Sequence, residues 1–478
     1  MARGEPKLVP LTGGPYMSKD VVADFQRCIN LYPEAAPSEQ APVPIVHFPT
    51  PGLTLKGVSP NISMFRCLYR ATNGDLYAVV GNSVYYISVA FNFTLLGLIA
   101  DLTTIACMAD NGLVVCLVDG TVNGYSIDMT TRVMTQIADP AFYGSISVGY
   151  IDTFFIFNQP QTRNFYISRS GVLTFDPLDI VAKTGSSDPV QIVVCTEREA
   201  WVMGTLTSEP WYNAGSADFA LAAIPGAFLE HGTVAPYSMA ELDGFLFWVD
   251  QDKNGSGTVA MSVNYKASKI STFAIDAEIQ SYLIKSDAIG YCYQQDGHAF
   301  YVLTFPNADK TWCYELNTGQ WHERNSIDGN GILHRHRSNC YAFAYGLNLV
   351  GDFQNGNLYQ LDQNAYTDNG IAIPRIRSWP HLVFGGQMIE YQRFTAFMET
   401  GTSLDPAANP LISLRWSDNG GHSFGNAVTA SMGKTGQYNR QIAWNNCGQA
   451  RDRIFELSWS EPLKTVLNGA FILPMVIE

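Results

Sequence analysis

Short apolar runs separated by turn-forming pairs repeat along the chain from about residue 61 to about residue 365. The clearest unit is residues 286–324, SDAIGYCYQQDGHAFYVLTFPNADKTWCYELNTGQWHER. Its pattern predicts strands over 288–293, 298–305, 311–316 and 320–324. Turns are expected at Gln295-Asp296-Gly297, where Asp-Gly supplies the positive φ of a tight hairpin, at Pro306-Asn307-Ala308-Asp309 and at Asn317-Thr318-Gly319. Four antiparallel strands in about forty residues make one blade of a β-propeller.

Similar units begin near residues 65, 105, 146, 190, 237, 288 and 332. Each opens on a strand of small or β-branched residues, and most then turn at an Asx-Gly pair into an aromatic strand. The expected fold class is all-β: a β-propeller over 61–365 with about seven blades, or six if the first or last unit pairs elsewhere. Two β-sandwiches are the alternative packing. Residues 216–230 read as a Gly/Pro-broken apolar insertion between blades, covering a partner or an open edge.

The flanks follow other patterns. Residues 1–60 are Pro-rich and read as an extended N-terminal arm, with VVADFQRCIN as one short helical turn. After residue 365 the repeat stops, and runs such as MIEYQRFTAFME and IFELSWSE alternate like strands of a β-sandwich-like C-terminal domain, 366–478. This region is rich in arginine: Arg375, Arg377, Arg393, Arg415, Arg440, Arg451 and Arg453.

Composition sharpens the picture. Of 478 residues, 46% are hydrophobic and only 15% charged, so a large core can form and much surface is expected to meet other subunits. The formal net charge of −14 argues against gripping nucleic acid through its phosphates. The nine cysteines form no C-x-x-C pair and read as buried thiols of a protein made in a reducing cytoplasm. No apolar run is long enough to span a bilayer, and MARGEPKLVPLTGG lacks the apolar core of a secretory signal.

Several stretches carry a family resemblance. They are Asn30, Tyr32, Pro33 and Glu34 in NLYPE, followed by the strand start PGL; Trp211, Tyr212, Asn213 and Gly215, then Asp243 and Trp248, in the block 208–249; and Lys269-Ile270-Ser271-Thr272 with Ile275. DGHAFYVLTFP and TWCYELNTGQWHER add Gly297, His298, Trp312, Trp321, His322, Glu323 and Arg324. Together they resemble the tail-hub proteins of short-tailed bacteriophages, also called packaged-DNA stabilisation or head-completion proteins. The resemblance implies a structural virion protein in the phage tail, assembled in the host bacterial cytoplasm, with no enzymatic activity and no cofactor. It implies a homohexamer below the portal adaptor ring, holding a tail needle or plug and receiving tailspikes or tail fibres. Packaged DNA would be retained and would leave through the ring without specific binding. An acidic or uncharged channel is then expected, with the arginine-rich C-terminal region facing protein partners.

The competing function is a glycan-active, sialidase-like propeller enzyme. Ser417, Asn419, Gly421 and Phe424 fit an Asp-box-like turn, with Asn419 where Asp is usual. That motif is a hairpin whose Asx side chain bonds its own backbone, and it occurs here once, outside the repeat. Met432-Gly433-Lys434-Thr435 lacks the first glycine of a phosphate-binding loop, since residue 428 is Val428. His334 and His336 have the spacing of one strand face but no further ligand nearby in sequence. No metal or catalytic residue is assigned.

Overall fold

A computed structural model describes residues 5–9, 11, 14–17, 19–35, 43–101, 103–403 and 405–476. Blades one to four are four-stranded antiparallel sheets over 65–98, 107–136, 148–182 and 190–223. Blade five, 232–269, has five strands; blade six begins at 289 and blade seven at 338. The described residues therefore form seven blades. Each neighbouring pair of blades buries its own apolar cluster. The ring closes where Ala342, Ala344 and Leu349 of blade seven pack on Phe65, Leu76 and Val80 of blade one.

In blade six the strands are Ile289–Gln295, His298–Phe305, Lys310–Glu315 and Gln320–Glu323. Asp296 and Gly297 take φ of 49° and 82°, the left-handed pair that a two-residue hairpin needs. Blade seven takes its outer strand from the other end of the chain. Gly52–Val58, within the stretch read as arm, lies antiparallel to Asn357–Asp362 with Leu53 opposite Leu361.

The arm enters the sandwich as well. Cys28–Ile29 pairs in parallel with Gln320–Glu323 of blade six and antiparallel with Arg375–Ser378. One sheet thus runs from blade six through the arm into the C-terminal domain. The hairpin Leu31–Ala35/Ile45–Pro49 and the strand Lys7–Val9 both join Leu467–Val476 in the facing sheet. Between the two sheets lies a core in which Val9, Leu11, Cys28 and Leu31 of the arm meet Trp379, Phe394, Phe455 and Trp459.

Two sequence expectations need revision locally, and one element was not foreseen. VVADFQRCIN opens on a single turn, with the Ala23 N–H donating to the Asp20 carbonyl at 2.9 Å, but then yields the strands Phe25–Gln26, paired with Tyr16–Met17, and Cys28–Ile29, captured between blade six and the sandwich. Residues 216–230 are not an insertion outside the blade. The amides of Ala214 and Gly215 bond the Ala220 carbonyl, and Leu221–Ala223 returns as the outer strand of blade four. The helix Phe273–Ser281 was not anticipated. Thr272 caps it by accepting from the Ile275 amide at 3.3 Å, and Ile275, Ile279 and Tyr282 fill the gap between blades five and six. Among the described residues no helix is long and apolar enough to cross a membrane.

Trp312 and Phe300 are 7% and 1% exposed, and the Trp312 indole donates to the Tyr282 hydroxyl at 3.0 Å. Trp312→Ala should cost about 3–5 kcal/mol. Denaturant unfolding followed by tryptophan emission checks this; a loss below about 1 kcal/mol would contradict the packing.

Candidate functional site: the seam of arm, propeller and sandwich

Seven of the motif residues singled out in the sequence converge where the arm passes between the domains: Asn30, Tyr32, Glu34, His298, His322, Glu323 and Arg324. Asn30 is 1% exposed with φ of 54°, a left-handed conformation that Asn tolerates better than most residues. Its amide group donates to the carbonyls of Asn325 at 2.9 Å and Pro374 at 2.8 Å. Its Oδ1 accepts from the Asn325 N–H at 2.9 Å. Its own N–H donates to Glu323 at 2.8 Å, and its carbonyl accepts from the Thr50 N–H at 3.1 Å. One residue thereby ties the end of blade six, the start of the sandwich and the arm hairpin.

Tyr32 packs beside it against Phe48, His298 and Phe300, with ring centroids 5.8, 5.1 and 5.4 Å away. His298 bridges two carboxylates, Glu34 at 3.1 Å and Glu315 at 3.0 Å. Pro33 is buried on the edge strand of the hairpin opposite His47, a position where no ladder amide is needed. Glu323 accepts from Lys310 at 2.7 Å and Asn325 at 3.1 Å.

Arg324, 1% exposed, donates to the Tyr293 hydroxyl at 2.5 Å and to His322 Nε2 at 3.1 Å. Its guanidinium lies 5.2 Å from the ring centres of Tyr293 and Phe300. His322 must accept at Nε2, so its proton sits on Nδ1. Burial, then the Arg324 charge and His47, hold the His322 ring well below its usual range. His336 donates to or accepts from Ser338 Oγ at 2.7 Å, and burial with Arg324 and Arg337 pushes it down to about 3. Burial raises the Asp368 carboxyl to about 7, against the pull of Arg337, Arg375 and Arg324.

The other motif residues lie elsewhere. Trp211 is buried in blade four, 4.9 Å from Phe165. Asn213 donates to Asp152 at 2.9 Å and accepts from the Gly215 amide at 3.0 Å. Tyr212 is 41% exposed, and Asp243 occupies a hairpin turn of blade five with φ of 51°. Trp248 is fully buried and donates to Asp250 at 3.0 Å; Trp321 donates to the Ile270 carbonyl at 2.9 Å. Gly297 serves the blade-six turn.

The Asp-box-like turn closes on itself. Ser417 Oγ accepts from the Gly421 amide at 2.9 Å, and Asn419 Oδ1 accepts from the Ser423 amide at 3.0 Å. Phe424 packs 5.4 Å from Phe25 of the arm, so the turn fastens the arm to the sandwich. His334 and His336 do not converge: His334 bonds Asp309 at 2.6 Å, while His336 is internal. Among the described residues no three His, Cys, Asp or Glu side chains are placed to share a metal ion.

The expectation that the arginine-rich region faces partners needs correction. Arg375, Arg377 and Arg453 are at most 1% exposed. Arg377 donates to the carbonyls of Arg27 at 3.1 Å and Ser378 at 2.9 Å. Arg375 reaches the Glu461 carbonyl at 3.3 Å, and Arg453 holds Asp418 through two bonds of 2.6 and 2.7 Å. These guanidinium groups satisfy polar groups inside the chain; Arg440 and Arg451 remain exposed. The seam partners Asn325, Pro374 and His336 carry no local signal in the sequence, because only the fold brings them to Asn30 and Arg324.

A family model described as "Bacteriophage P22 Gp10, beta-propeller" matches residues 8–366, and one described as "Bacteriophage P22 Gp10, beta-sandwich" matches residues 374–473. The chain belongs to the bacteriophage P22 Gp10 family. It is thus a structural virion protein of the kind that stabilises packaged DNA and completes the phage head and tail. The two matched regions meet at 366–374, beside Pro374 and Arg375 of the seam. No curated protein matches this Gp10-family chain. Among solved structures it is similar to the WD40 beta propeller domain of Doa1, at 10% identity and a TM-score of 0.42, covering 64% of this chain and 97% of that one. It is similar also to the computationally designed Ika8 protein, at 9% identity and a TM-score of 0.39, covering 64% and 99%. Likeness at that level carries no argument about function.

Two outcomes follow for the seam. Asn30→Ala should lose about 3 kcal/mol or more, since three side-chain bonds vanish and buried carbonyls are left unpaired. Faster proteolytic release of the part of the arm before Gly52, with the propeller still folded, is the expected readout. The second concerns acid. His322 and His336 are neutral when folded and take up protons near the ordinary 6.5 only when unfolded. Their contribution is therefore present above pH 6.5 and is lost as pH falls toward 3, by up to about 1.4 kcal/mol per pH unit for each ring. Thermal melts from pH 7 to pH 4 should drop steeply in the native protein and less in a His322→Asn/His336→Asn variant.

Proposed function

We propose that this member of the P22 Gp10 family is the tail hub, or nozzle, of a short-tailed phage. Six copies form a ring that joins the portal adaptor to a tail needle or plug and to tailspikes or tail fibres. The ring is assembled in the host bacterial cytoplasm, retains packaged DNA and surrounds its exit path. The observation that carries the reading is the arm: it supplies strands to blade seven and to both sandwich sheets, and Asn30 bonds to the end of blade six, the start of the sandwich and the arm hairpin. Two domains woven this way behave as one stiff wedge, which suits a ring that must withstand the pressure of a packed genome.

The protein acts without catalysis. The polar atoms of the Asp-box-like turn are used within the turn, which supports a fastening role rather than sialidase-like chemistry. Passage of DNA without gripping is supported by the net charge of −14 and by the engagement of Arg375, Arg377 and Arg453 inside the chain.

Negative-stain images of the purified protein mixed with adaptor-bearing heads should show a sixfold ring at the portal vertex. Free monomer with no head binding would refute the hub assignment. In fluorescence anisotropy with a short DNA duplex at physiological salt, binding should be no tighter than about 10⁻⁴–10⁻⁶ M. Nanomolar, salt-sensitive binding would refute free passage.

A further inference from the structure

One rim of the propeller is built from the first and third turns of the blades. On it, blades four and five leave a cleft of about 340 Å³. Its walls are Trp201, Phe245 and Tyr265, and its carboxylates are Glu197, Glu199 and Asp243. Phe245 and Tyr265 are 40% and 38% exposed, although the chain buries most of its aromatic rings. Trp201 and Tyr265 stack with centroids 5.9 Å apart, which holds the wall upright. Tyr212, one of the sequence motif residues not used at the seam, faces Glu199 across the blade-four strands and extends the aromatic surface.

Among the described residues, the hydrogen-bond partners of Glu199 and Asp243 are neutral. The Tyr265 hydroxyl donates to Glu199, and Gln294 donates to Asp243 at 2.7 Å. No lysine or arginine is among the lining residues, and the neighbouring Arg198 is turned to Asp152 at 2.9 Å. The cleft therefore offers flat π faces beside three uncompensated negative charges. A cation stacked on the rings and bonded by the carboxylates satisfies both features. An apolar or anionic group would strip water from the carboxylates with nothing in return.

We propose that this cleft receives an arginine or lysine side chain from a basic segment of a partner protein in the virion. The source of that segment rests on the assembly reading above. The test uses a synthetic peptide alone, so its failure and the failure of that reading are distinct. An end-blocked Arg-Gly-Arg-Gly-Arg peptide is titrated into the full chain by isothermal calorimetry at physiological salt. The same peptide with citrulline, which is isosteric and neutral, serves as control. Saturable binding is expected, weaker by about tenfold for the citrulline peptide, for Glu199→Gln/Asp243→Asn and for Tyr265→Ala. Glu230→Gln, an exposed carboxylate at the other end of blade five paired with Lys253, should bind like the native protein. If the double variant folds poorly, the citrulline peptide and Tyr265→Ala still decide. Equal binding of the citrulline peptide, unchanged binding by the variants, or no binding to the native chain would overturn the proposal.

Discussion

The hydrogen bonds of Asn30 are the constraint on which the joined structure depends. The arm leaves the strand Cys28–Ile29, wedged between blade six and the sandwich, and must turn at once into the hairpin beginning at Leu31. A left-handed residue makes that turn, and glycine could supply it too. Glycine could not satisfy Pro374 and Asn325, whose carbonyls lie at the ends of segments from different domains. An unpaired carbonyl at such a buried meeting point costs about 1–3 kcal/mol. A side chain with two donors and an acceptor at one left-handed position answers the backbone and the bonding requirements together.

The same accounting explains where the positive charge goes. The chain is poor in charged residues, yet Arg66, Arg324, Arg375, Arg377 and Arg453 are among its largest fully buried side chains. Arg66 alone bonds the carbonyls of Gly81 and Asp101 and the Asp101 carboxylate. Strand ends that meet from different sheets leave several carbonyls pointing at one place, and guanidinium offers five donors in a fixed plane. These arginines are joinery. Carboxylates are buried alongside them, ten against seven lysines and arginines among the described residues, so the buried charges largely offset one another and the surface stays acidic on balance.

Local pattern made the blades legible and left the seam obscure. The turn at Asp296-Gly297 and the alternation of HAFYVLTF locate blade six to within about two residues, because hairpin chemistry is short-range. Leu221–Ala223 was missed because a three-residue strand after a Gly-Ser-Ala-Asp turn has no period to detect. The helix Phe273–Ser281 was missed for a similar reason: nine residues give only about two and a half turns of periodicity, and the cap at Thr272 was its main mark. The motif residues around Asn30 and Arg324 could be picked out by resemblance, but their roles could not be read. The partners that Asn30 joins lie about 300 positions away, as Asn325 does, and nothing local encodes such a meeting.

That separation has a consequence for how the protein forms. Leu53 pairs with Leu361, and Cys28 with Arg377. The outer strand of blade seven and the strap of the sandwich are thus synthesised first and placed last. Until the chain is nearly complete, blade six and blade seven present open edges, and the arm has no sheet to join. Contacts this distant in sequence form slowly, because loop closure must precede the bonds that reward it. The arm also offers little that could fold wrongly alone: its strands are short, its prolines deny ladder amides, and its apolar residues Leu11, Ile29 and Leu31 find a core only between the two finished domains. Closure of the ring and locking of the sandwich then become one event, and a chain that has not completed both exposes the seam. Only a fully woven chain presents the finished surfaces of this structural virion protein.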